Sequence, residues 1–503
     1  MRAAFLALLL LALPAAADVT LHGLFGDHMV LQRDAKVPIW GRADPGEEVK
    51  VVFSGQVRAA TADDQGRWRV ELGPLDATAG RKLHVQARNR ITLKGVCVGD
   101  VWICSGQSNM AWPVKAAANA QEEIRRSDDP KLRLFTVPHR VSGEPLADVT
   151  GRWVAAEPAT VPSFSAVAFY FGAELRRVYG VPVGLIHTSW GGTPAEAWTR
   201  EATLRKDEVL LPIVERWEDA MRDWPAQRKV FLERLRKWQE KARAAGKKPP
   251  RRPRPPRGPA HPWRASGLFN AMIAPLLPFA IRGAIWYQGE SNAGRAEQYR
   301  RLFPAMIRDW RAAWGAGDFP FLFVQLANFR ARKPEPAESD WAELRDAQAL
   351  ALGEPNTGMA VAIDIGEAGN IHPRNKQEVG RRLALAARVV AHGEKDVVSS
   401  GPRLARCAFE GANVVAEFDQ QLVTSDQGPP KGFAIAGRDR VFHWADPQVL
   451  GRRVTFSCPA VPEPVALRYA WADNPLGNVV NGQGLPAPPF RTDDWPGLTA
   501  GNR

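Results

Sequence analysis

The sequence predicts an α/β protein: a parallel sheet covered by helices on both faces, flanked by an N-terminal and a C-terminal β unit. Three observations predict it. Residues 18–95 carry short β-type runs separated by Gly, Pro and Asp; residues 96–395 alternate near-continuous apolar runs with amphipathic ones; and from 396 to 503 the short-strand texture returns. The 503 residues are too many for one ordinary core, and 45% hydrophobic with 24% charged residues is a globular composition.

The first 17 residues stand apart. Arg2 opens a weakly positive start, an apolar run follows, and Ala15-x-Ala17 precedes Asp18. That pattern reads as a secretory signal peptide, and the run is too short for a transmembrane anchor. No later segment is long and apolar enough to span a bilayer, so the expected location is the periplasm or the exterior. The four cysteines, Cys97, Cys104, Cys407 and Cys458, form no C-x-x-C and have no histidine close by in sequence, so no metal site is expected. A Cys407–Cys458 disulfide stays open.

In the N-terminal unit, "RWRVEL" (67–72) alternates polar and apolar with period two, and "VPIWG", "VKVVFSG" and "LHVQARN" are further short strands. Together they suggest a small antiparallel sandwich. The central unit reads as five strands: Val101–Cys104, 181–189, 281–288, 319–328 and 358–364. Helical patterns fall between and after them at 169–179, 296–314, 340–352 and 375–391. Buried parallel strands alternating with amphipathic helices make a sheet covered on both faces.

The net charge of +13 is concentrated. Residues 226–258 hold 13 Lys/Arg against two acids, Glu233 and Glu240, a net +11. The first part of this insertion (226–262) spaces Val230, Leu235, Trp238 and Ala242 as one face of a helix, and the second, "GKKPPRRPRPPRGPAHP", is broken by proline. The plain reading is a solvated helix and linker; the sharper one is weak contact with an anionic surface, lipid or acidic polysaccharide. No motif points to nucleic acid.

Ligands of an open parallel sheet bind beyond the carboxyl ends of its strands. Here those ends read Ser105–Asn109, Ser189-Trp190-Gly191-Gly192-Thr193, Gln288-Gly289-Glu290-Ser291-Asn292, then Gln325 and Asn328, then Asp364. No phosphate-binding glycine motif occurs, and no cofactor is expected. Hydroxyl, amide and backbone donors suit a neutral polar ligand and acyl transfer. Ser108 is the candidate nucleophile. The backbone N–H groups of Ser108 and of Gly191 or Gly192, with the Gln288 amide, are candidate oxyanion donors. His372, in "GNIHPRNKQEVG" between the fifth strand and a helix, is the candidate base. His187 lies in an apolar strand and reads as a core residue. The G-x-S-x-G elbow of the common α/β-hydrolases is absent.

"CSGQSNM", "SWGGTPAEAW", "WYQGESN" and "IHPRNKQEVGRRLA", in this order, resemble the sialate O-acetylesterase family of SGNH (GDSL-like) hydrolases. The resemblance extends to "MVLQRDAKVPIWG" (29–41) and to "GLPAPPFRTDDW" near the end. It implies a three-layer α/β/α SGNH-type domain between β-sandwich-like domains, and metal-free hydrolysis of acetyl esters on sugars. Carried over, Ser108 is the nucleophile, His372 the base, and Gly192 or Gly191 with Gln288 the oxyanion site. Where the simplest pattern has an aspartate three residues before the histidine, this chain has Gly369. Asp364 and Glu367 are the nearest upstream acids, and a Ser–His dyad oriented by a backbone carbonyl is the other option. Asn109, Trp190, Glu290 and Asn292 are candidate substrate contacts. Trp198, Trp286 and Tyr287 also lie near the motifs, as sugar-stacking surfaces or core. The implied substrate is an acetylated carbohydrate, either sialic acid or plant polysaccharide such as xylan or xyloglucan. The rival is a carbohydrate-binding protein with a degenerate hydrolase domain.

Overall fold

The computed structural model describes residues 18–244 and 251–503. The expected signal peptide, residues 1–17, lies outside them, as do Lys247 and Lys248 of the basic segment.

The N-terminal unit consists of two facing sheets. Thr20–Leu21, Val37–Arg42 and Arg67–Leu72 form one; Glu48–Phe53, Gln56–Thr61 and Thr78–Gln86 lead into the other. The period-two reading of 67–72 becomes alternating exposure: Trp68, Val70 and Leu72 point into the core. Arg90–Gly106 is a single strand of 17 residues that starts in this unit and ends at the centre of the main sheet. Position 95/96, the expected boundary, falls inside it.

The main sheet runs Val154–Ala156, Asp129–Thr136, Val183–Ser189, Arg90–Gly106, Gly283–Tyr287, Phe321–Gln325, Thr357–Val361. All neighbours are parallel except the short edge strand Val154–Ala156. After Gly106 the chain builds one side of the sheet, then returns to Gly283 on the other side of the same strand. The order therefore reverses about Arg90–Gly106, which puts the crevice at its carboxyl end. The strands Asp129–Thr136 and Val154–Ala156 were not expected from the sequence.

Helices Ala166–Tyr179 and Lys376–Val390 pack together, and Ala296–Trp314 packs with Asp340–Leu350. Each matches a pattern read in the sequence to within a few residues. Gly380 brings the first pair close: a Cβ there would lie 2.6 Å from the Tyr170 Cβ and 2.8 Å from the Phe171 backbone nitrogen. Lys376–Val390 is capped at its start by the Asn375 side chain, which accepts from the Glu378 N–H at 3.2 Å.

The basic helix begins earlier than expected, spanning Leu211–Ala244 with Pro225 inside it. Val230, expected on its apolar face, is 46% exposed. The proline-rich return lies back along the helix: the Arg252 guanidinium sits 6.0 Å from the Trp238 ring centre, and a Cβ added at Gly258 would lie 2.5 Å from the Trp224 indole nitrogen.

The C-terminal unit contains two four-stranded antiparallel sheets. One is Leu404–Glu410, Asn413–Phe418, Arg453–Ser457 and Asp446–Leu450; the other is Phe442–Trp444, Phe433–Ala436, Ala466–Tyr469 and Phe490–Arg491. Phe418, Phe433, Phe456 and Tyr469 fill the space between. The buried Arg345 joins this unit to the main sheet, donating to the carbonyls of Leu326, Ala327, Ala472 and Asp473. All four cysteines are free; Cys407 and Cys458 are not bonded to each other.

Candidate active site

Three strand ends are tied together around Ser108. The Gln107 N–H donates to the Tyr287 carbonyl at 2.9 Å, and the Trp190 N–H to the Gly106 carbonyl at 3.1 Å. The Ser105 hydroxyl donates to the Thr188 carbonyl at 2.5 Å. Gly106 makes the crossing possible. Its φ is +137°, and a Cβ would lie 2.1 Å from the Tyr287 carbonyl oxygen. The turn it permits brings one side chain up: of residues 101–110 all are buried except Ser108.

Gly191 lies directly against that serine, where an added Cβ would come 3.3 Å from the Ser108 Cβ. Gly192 has φ +72°, and its carbonyl accepts from the Trp263 indole N–H at 2.6 Å. Trp190 is half-buried and stacks on His139, ring centres 4.3 Å apart and 8° from parallel. His139 in turn is bonded to the Ser189 carbonyl through Nε2 at 2.9 Å.

His372 enters from the loop before Lys376–Val390. Its ring stacks on Trp112, centres 4.9 Å apart. Trp112 follows the Ser108 turn and is itself anchored by donation to the Ala116 carbonyl at 3.0 Å. Asn109, next to Ser108, donates to the carbonyl of Ile371, next to His372, at 3.0 Å. The serine turn and the histidine loop are thus joined on two sides. Burial lowers the imidazole's affinity for a proton, and the nearby Lys376 ammonium lowers it further.

The two acids expected as a third member are both held by arginines. Arg382 grips Asp364 through two bonds, at 2.6 and 2.7 Å. Glu367 accepts from the Arg374 backbone N–H at 2.8 Å and from its guanidinium at 3.4 Å. Among the described residues, no carboxylate is hydrogen-bonded to the His372 ring.

The candidate substrate contacts divide. Trp190 is on the site's rim. Asn292 is buried: its Oδ1 accepts from Gln288 at 2.6 Å and from the Ala195 N–H at 3.0 Å, and its Nδ2 donates to Glu196 at 2.8 Å. Gln288 is fully buried, and its amide is engaged at both ends: Nε2 on Asn292 and the Thr193 carbonyl, Oε1 by the Tyr299 hydroxyl. Asn109 and Glu290 bond each other, Nδ2 donating to Oε1, and Lys376 donates to the Asn109 Oδ1 at 2.5 Å. Trp198, Trp286 and Tyr287 are completely buried and belong to the core. His187 is buried too, bonded to the Ser189 hydroxyl, and burial takes its pKa down to about 4.

Trp112, His139, Trp263 and Lys376 were not singled out from the sequence as site residues. The first three lie outside the recognised motifs. A lysine at a helix start ordinarily reads as solvated.

Among the described residues, no group of His, Cys, Asp and Glu is placed to hold a metal ion, and no helix is long and apolar enough to cross a membrane. The Cys104 thiol is fully buried, which pushes its ionisation far up, so it is no rival nucleophile.

A serine raised on a glycine turn at a sheet's switch point, facing a second glycine loop and linked through Asn109 and Trp112 to the His372 loop, forms a polar crevice of the kind in which open α/β sheets bind ligands. The carbohydrate esterase model "sialic acid-specific acetylesterase" matches residues 98–232 and 262–388. The sialate O-acetylesterase of Mus musculus is 32% identical over 523 residues, 92% of each chain. That of Homo sapiens is 31% identical over 529 residues, 93% of this chain and 92% of that one. The crystal structure of a carbohydrate acetylesterase from Xanthomonas citri superposes with a TM-score of 0.81 at 40% identity, covering 95% of this chain and all of the other. The chain belongs to the sialic acid-specific acetylesterase family of carbohydrate esterases, and it is a carboxylic ester hydrolase.

Proposed function

We propose that the chain removes acetyl groups from O-acetylated sugars by a serine mechanism, with Ser108 and His372 acting as a dyad. The observation that carries this is the partial exposure of Ser108 between the buried Gln107 and Asn109, beside Gly191 and joined to the His372 loop through Asn109 and Trp112.

In the first step the Ser108 Oγ–carbon bond forms while His372 takes the hydroxyl proton. The oxyanion is met by the backbone N–H groups of Ser108 and of Gly191 or Gly192. Collapse breaks the bond to the sugar oxygen, which leaves with the proton from the imidazolium. Water then attacks the acetyl-serine while His372 accepts its proton; collapse breaks the Ser108 Oγ–carbon bond, the imidazolium returns the proton to Oγ, and acetate departs. Gln288 supports this by holding Asn292 and the Thr193 carbonyl, so the glycine loop stays in place. With Asp364 and Glu367 engaged by arginines, Trp112 takes over the orienting of the imidazole ring.

The substrate is a sugar ester whose ring rests against Trp190, Trp112 and Trp263. The position of the basic segment favours an acidic carbohydrate. The segment 233–261 lies between the two stretches that match the family model, and its far end returns to the site, where Trp263 binds the Gly192 carbonyl. The Arg257 guanidinium sits 4.0 Å from the Trp263 ring centre. Sialosides and acetylated glucuronate-bearing xylan both carry the matching charge; xyloglucan does not. Export through residues 1–17 would give the enzyme access to such polymers.

Acetate release from a panel of O-acetylated sialosides, acetylated glucuronoxylan and acetylated xyloglucan tests the reading. Turnover of at least one acidic substrate, abolished in Ser108→Ala, supports it. Binding to all without turnover would leave a carbohydrate-binding protein instead.

A further inference from the structure

We propose that Lys376, bridged by Asn109 to Glu290, is a positioning residue that holds the Ser108 turn and the His372 loop together. This rests on the dyad reading above.

Lys376 is completely buried at the first turn of Lys376–Val390. An ammonium in that position needs partners, since an uncompensated buried charge is costly. Its Nζ donates to the Asn109 Oδ1 at 2.5 Å and lies 5.2 Å from the centre of the Tyr287 ring. The Asn109 Nδ2 donates both to the Glu290 carboxylate and to the Ile371 carbonyl. A cation on the amide oxygen and an anion on the amide nitrogen fix which way the Asn109 side chain faces.

The sequence neighbours of this cluster are the argument. Asn109 follows Ser108, Ile371 precedes His372, and Glu290 stands two residues after Gln288. One buried side chain therefore connects the nucleophile turn, the base loop and the third strand end. No carboxylate does this for His372 among the described residues. The Tyr287 hydroxyl beside this cluster is buried without a hydrogen-bond partner.

The groups around Lys376 are Asn109, Tyr287, Glu290, Glu367 and His372. Burial takes its pKa down to about 7, against the pull of Glu290 and Glu367. Burial likewise raises the Glu290 carboxyl. The charge that remains on Lys376 opposes a second positive charge on His372. A base that must be neutral to accept a proton gains from that neighbour.

The test is the pH profile of kcat/KM for Lys376→Met and for Lys376→Gln, which keeps a donor for Asn109 but no charge. Expected are a fall in kcat of about 10- to 100-fold for the Met variant, KM within about threefold, and a smaller fall for Gln. In both, the acid limb moves to higher pH, because the imidazole regains its proton affinity. Folded variants that keep kcat within about twofold overturn the proposal, and so does a Gln variant that falls as far as the Met variant. Failure of both variants to fold also overturns it, by making the cluster structural only. Ser108→Ala separates the two readings. If that variant keeps its activity, the dyad itself is wrong. If it is inactive while the Lys376 variants keep their kcat, only the role of Lys376 falls.

Discussion

The His372 imidazole lies flat on the Trp112 indole, ring centres 4.9 Å apart and 15° from parallel. In a triad a carboxylate would fix the ring's orientation; in the proposed dyad this aromatic face does so from the side. Trp112→Ala is expected to lower kcat by about 10- to 100-fold, the scale of a small misplacement of a reacting group, with KM little changed. Single-turnover acetate release checks it. Unchanged kcat would mean the ring is held by something else.

Replacing the arginine-bound acids distinguishes dyad from triad. Asp364→Asn and Glu367→Gln are each expected to cost less than about tenfold in kcat, where loss of a true triad acid costs about 10⁴-fold. Asp364→Asn is also expected to lower the Tm, because it strips a partner from the buried Arg382. A loss of about 10³-fold or more from either change would restore that acid to the mechanism.

The pH dependence follows from the direction of the His372 shift. Its pKa is lowered from the ordinary 6.5 by burial and then by Lys376. The neutral, active form therefore persists below pH 6.5, and kcat/KM falls only as pH drops through the depressed value. A kcat/KM profile with its acid midpoint at or above 6.5 would contradict this.

Gly106→Ala is expected to prevent the native fold or to cost more than about 4 kcal/mol. The new Cβ would meet the Tyr287 carbonyl oxygen at 2.1 Å, on a backbone with φ +137°. Gly191→Ala is milder. Its Cβ would come 3.3 Å from that of Ser108, so it should fold while losing activity. Denaturant unfolding, together with acetate release, measures both.

Neutralising Arg234, Arg236, Lys237 and Lys241 to glutamine should raise KM for an acidic acetylated polymer by several-fold and flatten its salt dependence. KM for p-nitrophenyl acetate should not move. Equal effects on both substrates would remove the arm from substrate binding. Co-sedimentation of the unaltered protein, but not the variant, with anionic vesicles would instead assign it to a lipid surface.

Much of the framework was legible because it obeys periodicity. The helices at 296–314 and 375–391 show their apolar stripes, and the strand ends announce themselves by a change from apolar to polar and glycine-rich residues. Asp129–Thr136 escaped notice because Lys131 and Arg133 interrupt its apolar residues and its burial comes from Val183–Ser189, which is distant in sequence. Pro225 obscured the front half of the long basic helix. That Ser108, Gly191 and the His372 loop meet at one end of the sheet was readable from their place after strands. The inward turn of Asn109, Glu290 and Asn292 was not, since polar residues beside a site look alike whether they face a ligand or one another. Lys376 was least visible, because only tertiary packing can bury a lysine at a helix start.

The most direct measurement is the mapping by tandem mass spectrometry of the adduct formed with a serine-reactive organophosphonate, alongside the loss of acetate release. The account predicts one adduct per chain, on the peptide carrying Ser108, in proportion to the activity lost. Complete inactivation with Ser108 unmodified, or full modification of Ser108 with activity intact, would contradict it.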